Sequence, residues 1–162
     1  MGAQRVNHVS VHANDLEESA GFYEDLFGME RVATPLFPHT RVLWLRLGDQ
    51  QLHLFESQGE APPAHHFGLD VDDFEAVYRR AKDGGHVDDG GYYGSVWKHP
   101  AGWVQMYLRD PAGNLVEIDW PDVTTLDPAI VADIRALDDE VEQTGDAAVA
   151  SLYSPVGVGK RP

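Results

Sequence analysis

The chain has 162 residues, 43% of them hydrophobic, with 12 Lys+Arg against 27 Asp+Glu and a formal charge of −15. That length suits one domain with a sizeable core, and the acidity excludes the basic face that nucleic acid or an anionic membrane surface requires. The absence of cysteine removes disulfide scaffolds, thiolate metal sites and cysteine nucleophiles. With no apolar run near ~18 residues and no apolar signal core, a cytoplasmic protein without membrane contact is expected.

Residues 5–11, RVNHVSV, alternate and are rich in Val, so a strand is predicted there. Asn14 or Asp15 then caps a helix over DLEESAGFYEDLFG, with Leu16, Ala20, Tyr23 and Phe27 on one face and Gly28 as its stop. MERVATP reads as a strand ended by Pro35. RVLWLRLG and QQLHLFE read as two more around the Gly48-Asp49 turn, and SQGEAPPA as a linker. The pattern then restarts. HHFGLDV is a strand, and DDFEAVYRRAKDGG is a helix with Phe74, Val77, Tyr78 and Ala81 on one face. The Gly-rich stretch 86–99 holds one short strand near Val96. WVQMYLRD and NLVEIDW are strands flanking the Asp110–Gly113 turn.

The restart is visible residue by residue. His8 is followed by the acidic cap Asp15-Leu16-Glu17, and His66, 58 positions later, by Asp73-Phe74-Glu75 at the same spacing. The expected fold is therefore α+β: two βαβββ modules, about 5–56 and 64–120, within one domain spanning 5–120. Residues 121–162 lie outside the repeat. Asp127-Pro128 starts a helix, and Ile130, Ile134, Leu137 and Val141 share a face, so one amphipathic helix near 128–142 is predicted. Between Asp119 and Asp146 there are nine acids and one base, Arg135. The end, SLYSPVGVGKRP, reads as a mobile tail.

Strand alternation sorts side chains onto faces. His8 and Ser10 oppose Val9 and Val11. Val42, Trp44 and Arg46 oppose Leu43, Leu45 and Leu47. His53 and Phe55 oppose Leu52 and Leu54. In the second module His66, Gly68 and Asp70 oppose Phe67, Leu69 and Val71, Tyr107 opposes Met106 and Leu108, and Glu117 opposes Val116 and Ile118. The second set is continuously apolar and faces the helices. The first set is too polar for a core, so it lines water or a site. A lone strand histidine is usually structural. Here the repeat puts His8 and His66 at equivalent positions and Glu117 on the last strand, and two imidazoles with one carboxylate make a facial triad for a divalent ion. His53 is the counterpart of Glu117 in the first module.

The stretches NHVSVHANDLEESAGFYEDLFGME, QLHLFE, HHFGLDVDD and MYLRDPAGNLVEI resemble the vicinal oxygen chelate superfamily of glyoxalases, epimerases, antibiotic-resistance proteins and extradiol dioxygenases. The resemblance covers about 5–120. It implies modules curled into a cup with metal ligands at His8, His66 and Glu117, and His53 as an optional fourth. The run His99, six residues, Met106-Tyr107, Leu108-Arg109, Asp110-Pro111-Ala112-Gly113, three residues, Glu117 is similar to the extradiol signature. It departs at Trp97 and in having two modules where most such enzymes have four. That similarity implies an Fe(II)-dependent ring-cleaving dioxygenase on a small aromatic diol, with Mn, Zn or Ni as alternative ions and His53, His99 and Tyr107 as catalytic groups. His53 would shuttle the substrate proton, Tyr107 bond a substrate oxygen, and His99 contact bound oxygen or the ring hydroxyl, while Trp44 and Phe55 would wall the ring and Arg46 would pair a carboxylate on it. The alternative is a glyoxalase- or epimerase-like lyase or isomerase on a carbonyl substrate, with His53 on the metal. A third is a metal-free protein that sequesters a drug in the cup. A homodimer is expected in each case.

Overall fold

The computed structural model describes residues 4–88 and 90–153. Strand β1 (His8–Ala13) leads into helix α1 (Leu16–Phe27), then β2 (Glu30–Val32), β3 (Val42–Leu47) and β4 (Gln50–Glu56). The order repeats as β5 (His66–Asp70), α2 (Phe74–Asp83), β6 (Val96–Lys98), β7 (Val104–Arg109) and β8 (Leu115–Trp120). Both helices begin where the acidic caps predict. Asp15 Oδ1 accepts from the Glu17 and Glu18 amides at 2.8 and 3.0 Å, and Asp73 Oδ1 accepts from the Ala76 amide at 2.9 Å. Gly28 ends α1 at φ 63°, a left-handed conformation that a side chain would strain. Replacing Asp15 by Ala leaves two first-turn amides without their acceptor and is expected to cost about 1 kcal/mol, read as a lower urea midpoint at unchanged slope.

The first sheet runs β1-β4-β3-β2, and the second runs β5-β8-β7-β6 with one further strand, β9 (Ile134–Ala136). β1 pairs with β4 in parallel, as β5 does with β8. The registers are equivalent. Ser10 lies opposite His53 and Gly68 opposite Glu117, while Trp44 is the neighbour of His53 on β3 and Tyr107 that of Glu117 on β7. The fold is thus the predicted α+β architecture, and the repeat extends to the pairing of individual residues.

The apolar faces meet in one core. Leu16, Ala20, Tyr23, Leu45, Leu52 and Leu54 from the first module join Leu69, Phe74, Val77, Met106, Leu108, Val116 and Ile118 from the second. Directional contacts across the core tie the modules. Phe22 packs edge-on against His86 at 4.9 Å, Tyr23 Oη donates to Asp110 Oδ2 at 2.9 Å, and Asn114 Nδ2 donates to the His12 carbonyl at 2.7 Å.

Three expectations need correction. β1 begins at His8, not residue 5, and extends to Ala13, so His12, just past the predicted strand, is a half-buried strand residue. The single helix near 128–142 does not form. Its span holds a short helix α3 (Pro128–Val131), then β9, then a short helix α4 (Leu137–Glu140). The reason is the open edge of β6: Ile134 and Ala136 pair there with Val96 and Lys98, and a sheet edge offers backbone partners that outweigh a modest helical preference. Asp133 is also drawn to Tyr78 and Lys82, at 2.5 and 2.7 Å, while Val141, expected on the buried stripe, is 55% exposed. Of the tail predicted to be mobile, 154–162 lies outside the described residues, and Tyr153 is held by a hydrogen bond to Asp70. Among the described residues no helix is long and apolar enough to cross a membrane.

Candidate functional site

In each module polar and aromatic side chains gather on one face of the sheet. In the first, His53 is stacked between two rings, with the His8 ring centroid at 4.4 Å and that of Trp44 at 4.3 Å, nearly parallel. His53 Nε2 donates to Gln51 Oε1 at 2.8 Å. Burial, and secondarily the charge of His8, lowers the His53 pKa, which favours the neutral imidazole. Phe37 covers the end of this face, 6.3 Å from Phe55 and 6.5 Å from Trp44. Arg46, expected to meet a substrate carboxylate, is exposed and ion-paired with Glu30 on β2.

In the second module His66 Nε2 lies 3.1 Å from Glu117 Oε2. His66 Nδ1 is 3.0 Å from the Ala64 carbonyl. A carbonyl only accepts, so Nδ1 carries the hydrogen and a neutral His66 points the Nε2 lone pair at a carboxylate oxygen. Two acceptors facing each other at that distance need a cation between them, either a proton or a metal ion. Two ligands at right angles on an ion with bonds of about 2.1 Å also lie about 3 Å apart. The donors of this pair therefore fit a borderline divalent metal.

Tyr107 lies beside them, its ring edge-on to His66 at 5.6 Å, as the cross-strand neighbour of Glu117. Burial, and then the Glu117 carboxylate, raises the Tyr107 pKa far above the usual phenol range, so it stays a hydrogen-bond donor. Gln105 Nε2 donates to the Tyr107 and Tyr92 hydroxyls at 2.8 and 3.0 Å. His99 Nε2 donates to Gln105 Oε1 at 2.6 Å, its ring flat on Trp103 at 3.6 Å. His99 is thus connected to Tyr107 through a glutamine, and burial lowers its pKa.

The structure brings His8 to His53 and His66 to Glu117, but it does not bring His8, His66 and Glu117 together. Among the described residues no group of three or more His, Asp or Glu converges to hold a metal. His8 and His53 stand on the first sheet and His66 and Glu117 on the second, and among the described residues no strand pairing joins the two sheets.

Sequence reasoning missed Asp119, Gln105, Tyr92 and Tyr153. Asp119 and Gln105 follow from alternation, two positions from Glu117 and Tyr107 on the same face. Asp119 is 4% exposed, and burial with Glu117 alongside pushes its pKa up to about 8. Tyr92, in the Gly-rich stretch, and Tyr153, in the presumed tail, carry no periodic signal.

The chain is similar to human methylmalonyl-CoA epimerase, with 30% identity over 129 residues covering 71% of this chain and 73% of that one. Its fold is similar to the crystal structure of a lactoylglutathione lyase from Agrobacterium tumefaciens, with TM-score 0.56 and 24% identity, covering 74% of this chain and 95% of that one. It also resembles the solved structure of oxidase ChaP-H2, with TM-score 0.57 and 27% identity, covering 76% of this chain and 98% of that one. The family description "Glyoxalase/Bleomycin resistance protein/Dioxygenase superfamily" matches residues 5–118, most of the paired-module region, and the chain belongs to that superfamily.

Proposed function

We propose that this protein is a divalent-metal-dependent enzyme that moves a proton at a carbon next to a carbonyl, as an epimerase or lyase does, on a small carbonyl acid or thioester. The observation that carries the reading is the His66–Glu117 pair, a lone-pair nitrogen locked by Ala64 and aimed at a carboxylate oxygen. The similarity to methylmalonyl-CoA epimerase supports proton transfer over ring cleavage. Each chain offers two donors per face, so the site is assembled between copies: His8 and His53 of one protomer meet His66 and Glu117 of its partner in a homodimer with two such sites.

When bound, a divalent ion supplies Lewis acidity that polarises a carbonyl oxygen and acidifies the adjacent C–H. The remaining work belongs to side chains. His53 and Glu117 occupy equivalent positions in the two halves and flank the ligand from opposite sides, so one removes the proton and the other returns it. Tyr107 donates to the substrate oxygen that gains charge. Trp44, Phe55 and Phe37 exclude water from the other end.

Methylmalonyl-CoA incubated in D2O with the Co(II)- or Mn(II)-loaded protein is expected to gain deuterium at the carbon between the carbonyls, and His53→Ala to slow that exchange by about 10²-fold or more. A ring-cleaving reading of the same face has one observation in its favour, the His99–Gln105–Tyr107 hydrogen-bond chain that ends beside Glu117, alongside the similarity to the oxidase structure. Oxygen uptake by the Fe(II)-loaded protein with a catechol, without deuterium exchange in the thioester, would replace the first reading with the second.

A further inference from the structure

Residues beyond 120 are additional to the shared domain: the family match ends at 118, and the two solved structures above are covered over 95% and 98% of their lengths by 74% and 76% of this chain. The added segment has two parts held in different ways. Its first part is anchored. Leu126 and Ile130 are buried, the Asp127 amide donates to Glu75 at 2.6 Å, and β9 extends the second sheet. Its last part, residues 141–153, lies on the surface. Val141, Val149 and Leu152 are 55%, 69% and 62% exposed. Among the described residues two long-range hydrogen bonds hold it: Trp103 Nε1 donates to the Ala150 carbonyl at 3.2 Å, and Tyr153 Oη donates to Asp70 Oδ1 at 2.6 Å.

Those two anchors sit on opposite sides of the second polar face. Trp103 immediately precedes β7 and shares the face of Gln105 and Tyr107 by alternation. Asp70 ends β5, on the face of His66. With strand order β5-β8-β7, the segment between Ala150 and Tyr153 crosses the row Asp70–Asp119–Gln105, one step along the strands from Glu117. Beneath it Asp119 Oδ1 is buried without a hydrogen-bond partner among the described residues. An unpartnered buried carboxyl oxygen is a standing penalty on the closed arrangement that solvation on opening removes. A segment with exposed apolar side chains, two tethers and an orphaned group beneath it belongs to the low-stability end of the fold.

We propose that residues 141–153 form a strap over the far end of the second face, which opens independently of β9 and is latched by the Tyr153–Asp70 hydrogen bond. Closed, it keeps water from the Asp119–Gln105 row. Open, it lengthens the face available to a ligand. The proposal needs neither the metal nor the proton-transfer reading, and its test uses neither.

The test uses the full chain labelled with 5-fluorotryptophan, with Trp103 assigned from a Trp103→Phe variant, together with backbone hydrogen exchange. In the unsubstituted protein, peptides covering 147–153 should exchange faster than those covering 134–136. Tyr153→Phe removes one bond from a phenol to a carboxylate and is expected to raise exchange in 147–153 about tenfold. It should also increase the H2O/D2O isotope shift of the Trp103 fluorine and leave Trp44 and Trp120 unmoved. Asp70→Asn, which keeps an acceptor oxygen, should lie between the two. Unchanged exchange and an unchanged Trp103 signal in Tyr153→Phe would overturn the latch. Loss of protection spreading equally into β9 would overturn the independent strap.

Discussion

Replacing Asp110 by Ala is expected to destabilise the protein by about 3–5 kcal/mol, the largest effect of any single polar substitution considered. Asp110 is 4% exposed and accepts four hydrogen bonds. Two come from the Ala112 and Asn114 amides, at 3.0 and 2.8 Å, and shape the turn in which Gly113 takes φ 83°. The other two come from Asn114 Nδ2 at 2.7 Å and Tyr23 Oη at 2.9 Å. Tyr23 is fully buried on α1, so this carboxylate joins the modules across the core. The alanine variant strands a buried phenol and two amides, and loosens the Asn114 side chain that reaches His12. Tyr23→Phe removes one donor and leaves Asp110 its other three bonds, so its cost should be about 1–2 kcal/mol. Denaturant unfolding of both variants checks the ordering, and a loss under about 1 kcal/mol for Asp110→Ala would show that the turn is not the tie described.

The second large effect concerns assembly. Glu117→Ala removes the anionic donor of the second face, and His8→Ala removes an imidazole of the first. Each variant alone is expected to lose tight binding of Co(II) or Mn(II), by about 10²-fold or more in affinity. Unfolding the two together and refolding them should restore metal. In a mixed dimer one site carries both substitutions and the other carries neither. Random pairing then yields about a quarter of the unsubstituted metal content. Equilibrium dialysis with metal analysis reads this directly. A site built within one chain gives no recovery on mixing. Recovery without any loss in Glu117→Ala alone would remove that residue from the site.

Much of this architecture is legible in the residues themselves. The caps Asp15 and Asp73 act within a turn of where they stand, and the period of two in VSV, VLWLRL and LHLFE needs only the local pleat to sort its faces. The repeat makes His8 equivalent to His66 and His53 to Glu117, and the observed registers keep that equivalence. The 128–142 segment failed for the converse reason. Its spacing fits a helix, but the unfilled backbone edge of β6 lies far away in the chain and enters no local pattern.

What the sequence by itself determined is the set of faces: which side chains of each strand point together, and that one of those sets is polar. Local sterics decide that, because neighbouring residues alone set the alternation. Tertiary structure decided which faces meet. The apolar sides of both modules close on a shared core, so His8 stacks on His53 and His66 approaches Glu117 while the two pairs stay apart. It likewise decided that Tyr153 reaches Asp70, a contact between residues 83 positions apart whose geometry depends on the whole second sheet standing between them. Burial free energy is summed over the assembled core and has no preferred spacing along the chain, so neither arrangement leaves a trace in the order of the residues.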